Sequence, residues 1–318
     1  MKLLGRIIVF LFKAIFYTIG GLFVLVLVVG LLANFMDDDT PAEPSVPEAP
    51  RFEVIVPTGE GAPGVRHTRS WTDYAQRRYE GQYVVADQAF AVSQAYRNDL
   101  QHTYNQGEAF ERFYRDNEDL FRANERIFLW SYIYEALLAH DRPLLTGMVA
   151  MFDSIYQAAQ PDRIRFAQLI VCHVQHLPYV LVHSESCAYQ TNQDPGCRQF
   201  SCRWHQQQGA CKPGMAFGLQ APAEFAYNLE GDCDTRVLLL LSLLRHYGYH
   251  ARMVWSESYG HAVLGIDLPG SGNLYLQSEG RKYYLWETTA TGWQHGQIEP
   301  LYRDLRGWHL LRTFEGGR

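Results

Sequence analysis

The stretch "EGDCDTRVLLLL", residues 230–241, places a cysteine between two aspartates at the start of a run of leucines. A helix that is apolar on nearly all sides is typical of a protein core, so residues 237–244 predict a buried helix. Asp232 can cap its N-terminus, and Gly248 can end it. Cys233 would then begin a rigid helix, where unpaired N–H groups and the helix dipole favour a thiolate. The flanking aspartates oppose a thiolate, so we expect their carboxylates to face backbone amides of the turn.

A histidine and a glutamate downstream of Cys233 can supply a base and the group that orients it. His261 starts the strand-like run "HAVLGIDL", and Glu287 ends the strand-like run "KYYLWE". If these strands pair antiparallel, the start of one lies beside the end of the other. The sequence therefore predicts that Cys233, His261 and Glu287 converge as a catalytic triad. His295, which follows Glu287 closely, is a weaker alternative for the base.

The order of the secondary-structure signals predicts the α+β class. Helical periodicity runs from about residue 109 to residue 159 and again over "RIRFAQLIVCHVQH", residues 163–176. Strand-like runs come after the leucine-rich helix. Helices followed by strands that are joined in hairpins are typical of α+β folds.

The runs "EGDCDTRVLLLLSLLRHYGYHARMVW", "YGHAVLGID" and "YYLWETTATG" contain, in this order, a Gly-x-Cys turn, a Gly-His strand and a carboxylate strand. In this they resemble the transglutaminase-like superfamily, a papain-like thiol fold. The earlier segments "HVQHLPYV" and "PAEF" are similar to those that precede the nucleophile in that family. The resemblance covers about residues 163–300 and is weak over residues 71–162. The third member of the family's triad is usually Asp, where this chain has Glu287.

The resemblance implies a fold and a chemistry. The fold is a transglutaminase-like core, in which the helix that starts at the cysteine packs on an antiparallel sheet. The chemistry is attack of Cys233 on an amide carbonyl, with His261 transferring the proton and Glu287 orienting His261. A peptidase or amidase resolves the thioester with water, a transamidase resolves it with an amine, and neither requires a cofactor. Because the family also contains inactive scaffolds, a catalytically silent envelope scaffold or binding module is the alternative.

The oxyanion that forms during such a reaction needs hydrogen-bond donors aimed at it. The backbone N–H of Cys233 is one donor. The sequence leaves the second open among three residues, which are Gln220, Tyr227 and Trp255.

Four cysteines lie in a polar, glutamine-rich segment, residues 187–211. In an oxidising compartment they predict two disulfides that pin a loop with little core of its own, and three connectivities are open. The alternative is zinc bound by these cysteines with His205, although the paired Cys-x-x-Cys spacing of structural zinc sites is absent, so we expect no metal. A stapled loop at this position would limit access to Cys233, or it would be a surface insertion that the disulfides protect against proteolysis. The disulfide candidates are Cys187, Cys197, Cys202 and Cys211, and Cys172 is expected to be a buried thiol.

The N-terminus predicts a membrane anchor. Residues 14–35 are 22 residues without a charge, which is long enough to cross a bilayer with some tilt. Lys2, Arg6 and Lys13 precede this run and three aspartates follow it, so the excess of positive charge should remain in the cytoplasm. No cleavage site typical of a signal peptide is visible. We therefore expect a single-pass protein of the cell (inner) membrane, with its N-terminus inside and its C-terminal domain in the periplasm.

These signals divide the chain into three parts. Residues 1–36 are the predicted cytoplasmic tip and transmembrane anchor, residues 37–70 a Pro- and Glu-rich stalk, and residues 71–318 the transglutaminase-like domain. Within that domain, residues 71–160 are expected to be helical. The net charge of −6 gives no electrostatic basis for binding nucleic acid. The expected partner is a peptide or protein substrate in the cell envelope.

A pair of topology reporters tests the orientation. A reporter that works only outside the cytoplasm should be active when fused after residue 45, because the positive residues hold the N-terminus inside. A reporter that works only in the cytoplasm should be inactive at the same position. The opposite pattern would contradict the predicted orientation and the oxidising environment on which the predicted disulfides depend.

Overall fold

The computed structural model of the chain describes residues 63–106, 115, 118–187 and 199–313. The predicted anchor and most of the predicted stalk lie outside this part. No helix within it is long and apolar enough to span a bilayer. Regular structure begins earlier than predicted, because the first strand starts at Gly64 rather than near Trp71.

The part that was predicted to be helical, residues 71–160, begins with a β-hairpin. Strands β1 (Gly64–Thr72) and β2 (Arg78–Ala86) pair antiparallel along their whole length. Alternate residues of β2 are buried, as expected for a strand with one face in the core. Four helices then follow, as predicted: α1 (Asp87–Gln106), α2 (Glu118–Asp141), α3 (Thr146–Ala159) and α4 (Arg163–Gln175).

The rest of the described chain contains three helices, two short strands and the main sheet. The helices are α5 (Phe200–Gln206), α6 (Pro222–Asn228) and α7 (Cys233–His246). The short strands β3 (Leu181–Val182) and β4 (Cys211–Lys212) pair in parallel. The main sheet consists of β5 (Ala251–Ser256), β6 (His261–Ile266), β7 (Tyr275–Ser278), β8 (Arg281–Trp286) and β9 (His309–Leu310).

The main sheet has the strand order β7-β8-β6-β5-β9, and its neighbouring strands pair antiparallel. Together with the helices this confirms the α+β class. α7 packs on β5 and β6. Val254 of β5 and Val263 of β6 belong to a second apolar cluster, which also includes Tyr259, Tyr302 and Trp308.

α7 is the core helix that the leucine run predicts. It starts at Cys233, and Gly248 follows its end in the left-handed region, with φ of +72°. Asp232 occupies the N-cap position, but its carboxylate makes no capping hydrogen bond to α7. Asp232 Oδ2 instead accepts a hydrogen bond from the Val182 N–H at 3.2 Å. The predicted cap is therefore wrong, because this carboxylate ties the turn before Cys233 to β3.

A buried ion pair fixes the segment that leads to Cys233. Arg97 of α1 donates two hydrogen bonds to the Glu224 carboxylate of α6, from Nε at 2.6 Å and from Nη2 at 2.9 Å. Glu224 Oε2 also accepts a hydrogen bond from the Ala221 N–H at 2.9 Å. A third donor of Arg97, Nη1, reaches the carbonyl of Ala216 at 3.1 Å. The pair therefore holds α6 and the residues before it against α1.

Removing one partner of this pair should destabilise the fold. We expect Glu224→Gln to cost about 3–5 kcal/mol, because it leaves the Arg97 charge buried and unpaired. Urea denaturation measures the loss. Asp267→Asn is the matched control, since it removes the partner of Arg281 in a half-exposed pair at 2.9 Å and should cost at most about 1 kcal/mol. Equal losses in the two variants would contradict the role given to the buried pair.

Candidate active site

Cys233 is the first residue of α7 and lies nearly buried, with 9% of its surface exposed. Its sulfur receives a hydrogen bond from the backbone N–H of Ala262 in β6. The residue that precedes Ala262 is His261. The fold therefore brings the start of the leucine helix to the start of the strand on which the sequence predicts the base.

His261 and Glu287 form the contact that the strand order predicts. β6 and β8 pair antiparallel, with Leu264 opposite Trp286, so the start of β6 and the residue after β8 lie at the same end of the sheet. His261 Nε2 and Glu287 Oε2 are 3.0 Å apart, and both side chains are buried. The predicted neighbourhood of these two residues is confirmed.

The Glu287 carboxylate is held in one orientation by the residues that follow it. Its Oε1 accepts hydrogen bonds from the Thr288 N–H at 3.0 Å, from the Thr289 N–H at 3.3 Å and from the Thr289 hydroxyl at 2.9 Å. Burial alone would raise the pKa of Glu287, but attraction to His261 and hydrogen bonds from His261 and Thr289 lower it below its usual value. Glu287 is therefore ionised at neutral pH.

An ionised carboxylate accepts hydrogen bonds and cannot donate them, so Glu287 fixes the tautomer of His261. The proton of a neutral His261 must lie on Nε2, which leaves the lone pair on Nδ1. Nδ1 is buried and has no hydrogen-bond partner among the described residues. This nitrogen is therefore the one that can accept a proton.

The environment of Cys233 opposes a thiolate. Burial raises the pKa of the Cys233 thiol well above its usual range, and the charges of Asp234 and Asp232 raise it further. The hydrogen bond from Ala262 acts in the opposite direction without outweighing them. The predicted stabilisation of a thiolate at the helix N-terminus is therefore wrong for this state, in which the thiol is protonated.

The two aspartates face different partners. Asp234 accepts hydrogen bonds from the Thr235 N–H and from the Tyr134 hydroxyl, both at 2.9 Å, so its carboxylate faces an amide as predicted. Burial raises the pKa of Asp232 well above its usual value, and repulsion by Asp234 adds to the shift.

Aromatic rings cover His261. Phe200, the first residue of α5, stacks on the imidazole with ring centroids 4.4 Å apart and planes 9° apart. The rings of Tyr302 and Trp308 lie at 5.2 and 5.9 Å. The Phe200 N–H donates to the Tyr259 carbonyl at 2.8 Å, which fixes the start of α5 beside the start of β6. α5 therefore shields His261 from solvent.

Tyr179 is a site residue that sequence reasoning missed. Its hydroxyl is buried and has no hydrogen-bond partner in the described part of the chain. Burial raises the pKa of Tyr179 well above its usual range, and the electrostatic interaction with Cys233 is the largest contribution after burial. Its backbone bridges to Gly231 in the turn before Cys233. Its position in "HLPYV", a segment similar to one that precedes the nucleophile in the resembling family, was the signal that could have identified it.

Two of the three predicted oxyanion candidates, Gln220 and Tyr227, have other partners. Gln220 is buried, and its side-chain amide bonds to the Glu230 carbonyl and to Asn228, so that it shapes the turn before Cys233. The Tyr227 hydroxyl donates to Asp87 of α1 at 2.9 Å, with no contact to the triad. Trp255 lies opposite Ala262 on β5, one pair away from His261. Of the three, Trp255 is the one that stays beside the triad.

The remaining histidines do not compete with His261. His295 Nε2 lies 3.0 Å from the Pro269 carbonyl, and its ring contacts Trp286 and Tyr284 rather than Cys233. His173 lies in the last turn of α4 and is buried against Trp71, Tyr83 and Phe152. Burial lowers the pKa of His173 to about 3. His173 is therefore a neutral core residue.

A cleft of about 300 Å³ opens beside Glu287. Residues of α5 form one wall and residues 287–299 form the other. Phe200 lines this cleft and also stacks on His261, so it separates the cleft from the base. A larger cavity of about 520 Å³ is lined by α2 and by residues 241–245 of α7, and it contains no triad residue. Of these two cavities, the smaller cleft is the one that borders a residue of the predicted triad.

One predicted disulfide is present in the cysteine-rich segment, where Cys187 is bonded to Cys211. This pairing leaves Cys197 with Cys202 as the second disulfide, but Cys197 lies outside the described residues, so the second bond stays a prediction. Cys172 is a buried thiol, as predicted, and burial raises its pKa to about 12.

Comparison of the chain with protein-family models, with curated proteins and with solved structures found no match. The function is therefore inferred from the geometry of this site.

The ionised state of Glu287 should contribute to stability in a pH-dependent way. Glu287→Gln should lower the free energy of unfolding at neutral pH, because the lowered pKa favours the folded state wherever the unfolded carboxyl, with a pKa of about 4.3, is ionised. As the pH falls through the lowered pKa of Glu287, the protein loses this contribution and the difference from the variant shrinks. Urea denaturation between about pH 7 and pH 3 measures the difference.

Glu230→Gln is the control for that series, because Glu230 is exposed and pairs with Lys212 at 2.5 Å on the surface. A difference between wild type and Glu287→Gln that stays constant down to pH 3 would show that Glu287 does not have the lowered pKa.

Proposed function

We propose that this protein is a thiol enzyme with a transglutaminase-like core that acts on amide bonds through Cys233, His261 and Glu287. The observation that carries the proposal is the buried His261–Glu287 pair, which leaves Nδ1 as the proton acceptor beside the helix that begins at Cys233. A buried histidine with one nitrogen bonded to a carboxylate and the other unpartnered is the arrangement that general-base catalysis requires.

The reaction begins from a protonated thiol. Cys233 Sγ attacks the amide carbonyl carbon while its proton passes to His261 Nδ1, and Glu287 stabilises the imidazolium that forms. The imidazolium gives the proton to the amide nitrogen as the C–N bond breaks, which leaves a thioester on Cys233. Water or an amine then attacks the thioester, loses a proton to Nδ1, and Cys233 leaves as the thiol after recovering that proton.

Two donors near Cys233 support stabilisation of the oxyanion. The backbone N–H of Cys233 lies at the N-terminus of α7, where no residue of that helix accepts from it. The buried Tyr179 hydroxyl is the second donor that we propose, because it has no partner in the described part of the chain. Burial strengthens such donors, since they act in a medium of low dielectric constant.

The walls of the cleft indicate the substrate class. Phe200, Trp204 and Trp293 supply apolar surface, and Arg203 pairs with Glu299 across it at 2.7 Å. Apolar walls with a few polar groups suit one or two side chains of a peptide. We propose a peptide or protein of the cell envelope as substrate, reached by a domain that residues 14–35 anchor in the inner membrane with the domain in the periplasm. The acyl acceptor is water for a hydrolase and an amine for a transamidase.

A non-catalytic envelope scaffold is the second candidate. The burial of Cys233, its raised pKa and the stacking of Phe200 on His261 favour it, because all three reduce the reactivity of the thiol. The two candidates differ in one property that can be measured. In the enzyme the reactivity of Cys233 depends on His261, and in the scaffold it does not.

Alkylation of the native full-length chain by a peptidyl electrophile, with peptide mapping, tests the proposal. The electrophile should modify Cys233, and Cys233→Ala should abolish the label. His261→Ala should slow the labelling by about 10²–10⁴-fold, because it removes the base, and Glu287→Gln should have a smaller effect. Tyr179→Phe should slow turnover of an amide substrate more than it slows alkylation, since alkylation forms no oxyanion.

His295→Ala and Cys172→Ala are the matched controls, and both should label like the wild type. Phe200→Ala should speed the labelling by uncovering the base. If labelling in the Phe200→Ala background is fast and does not change on adding His261→Ala, Cys233 is only an uncovered thiol and the scaffold is the better assignment.

A further inference from the structure

Four metal-ligand side chains meet beside the strand pair β3–β4. The ligand atoms of His183, His205 and Cys211 all lie within 4.8 Å of one another. The fourth is Cys187, whose sulfur is bonded to Cys211. Two sulfurs and two imidazoles are the donor set of a Cys₂His₂ zinc site. The sequence indicated His205 as a ligand candidate but gave no reason to select His183, which precedes Cys187 by four residues.

Backbone hydrogen bonds hold these four residues in place. The His183 N–H donates to the Lys212 carbonyl at 2.9 Å, which continues the parallel pairing of Leu181 with Cys211. The His183 carbonyl accepts a hydrogen bond from the Met215 N–H at 2.8 Å. His183 and Cys211 are therefore neighbours because their strands pair.

α5 brings the second histidine to the same place. The Trp204 indole N–H donates to the Ala210 carbonyl at 2.9 Å, and the Gly209 N–H donates to the Trp204 carbonyl at 3.1 Å. These bonds fold the end of α5 back onto the residue before Cys211. The His205 ring consequently lies parallel to that of His183, with centroids 5.6 Å apart.

We propose that reduction of the Cys187–Cys211 disulfide converts this cluster into a tetrahedral zinc site formed by His183, Cys187, His205 and Cys211. A dithiol reductant supplies two electrons and two protons, the S–S bond breaks, and two thiols form while the reductant becomes a disulfide. Zinc then binds the two sulfurs as thiolates and releases their two protons. The disulfide and the zinc site use the same sulfurs, so each state excludes the other.

The distances suit such a conversion. Zinc lies about 2.3 Å from sulfur and about 2.0–2.1 Å from nitrogen, which places tetrahedral ligand atoms about 3.3–3.8 Å apart. The ligand atoms of His183, His205 and Cys211, which already lie within 4.8 Å of one another, need to approach by about 1.5 Å at most. The two sulfurs, bonded at 2.01 Å in the disulfide, separate to about 3.8 Å when both bind zinc. Structural zinc sites normally have four protein ligands, and this cluster supplies four.

Zinc would connect α5 directly to the β3–β4 pair, because His205 belongs to α5 and the other three ligands do not. In the disulfide state the covalent bond joins Cys187 to Cys211 and leaves α5 outside it. Since Phe200 at the other end of α5 stacks on His261, zinc would hold this cover over the base. That consequence for reactivity depends on the proposed function, whereas metal binding itself does not.

Cobalt(II), a spectroscopic probe for zinc, tests the site in the full-length chain. After anaerobic reduction, one cobalt should bind per chain, with the thiolate charge-transfer and intense d–d absorption of a tetrahedral site, and zinc should displace it. The oxidised chain should bind none. Cys187→Ser with Cys211→Ser should abolish the signal, as should His183→Ala with His205→Ala.

Three further variants keep the result interpretable. His205→Gln replaces one partly exposed ligand and should weaken cobalt binding without unfolding the chain, which circular dichroism checks. Cys197→Ser with Cys202→Ser and, separately, His246→Ala should bind cobalt as the wild type does. Failure of the reduced wild-type chain to bind cobalt overturns the proposal, and so does binding that survives loss of both histidines or disappears with Cys197 and Cys202. These readouts need no catalytic activity, so their failure is distinct from failure of the proposed enzyme.

Discussion

The buried guanidinium of Arg236 is the interaction on which the site depends. It donates hydrogen bonds to four backbone carbonyls, those of Gly231, Val174, Leu177 and Thr288, at 2.6 to 3.3 Å. These carbonyls belong to the turn before Cys233, to the end of α4 and the segment after it, and to the segment after Glu287. A rigid planar group with five donors can join several segments at once, which a lysine cannot do. One side chain of α7 thus holds the turn before Cys233 and the segment after Glu287 in a fixed position relative to each other.

The positive charge of Arg236 also lies close to several acidic groups of the site. Burial lowers the pKa of Arg236 to about 10, so it stays positive at neutral pH. Its positive charge is attracted to Asp232, Cys233 and Glu287, each of which would carry a negative charge when ionised. Among these acids, the pKa of Glu287 is lowered by His261 and Thr289, whereas the pKa of Asp232 is raised by burial. This distribution keeps the thiol protonated while His261 remains oriented.

Much of this arrangement follows from local sequence patterns. The leucine run predicts α7 because its apolar residues cover nearly the whole helix surface. The strand order predicts the contact of His261 with Glu287, because the first residue of a strand lies beside the end of its antiparallel neighbour. What the sequence could not give is the energetic balance at Cys233. The helix N-terminus favours a thiolate, but burial is a tertiary property and the direction of the Asp232 carboxylate depends on Val182, fifty residues away. The β1–β2 hairpin was missed although β2 has a period of two. Phe200 and His183 carry no local signal, since only the fold brings them to the site.

α5 is the element that connects the cover of the base with the cysteine-rich segment. It is seven residues long. At its start the Phe200 N–H donates a hydrogen bond to the Tyr259 carbonyl. Arg203 forms an ion pair with Glu299 and donates a hydrogen bond to the Tyr302 hydroxyl. A short helix held by a few contacts can open locally at a much lower cost in free energy than global unfolding. A substrate that enters the cleft must displace Phe200 before it reaches Cys233, so for the proposed enzyme the opening of α5 precedes the chemistry. Substrate binding and exposure of the base are then one event. In the proposed enzyme, the protonated thiol of Cys233 would therefore become reactive only when a ligand fills the space that Phe200 leaves beside His261.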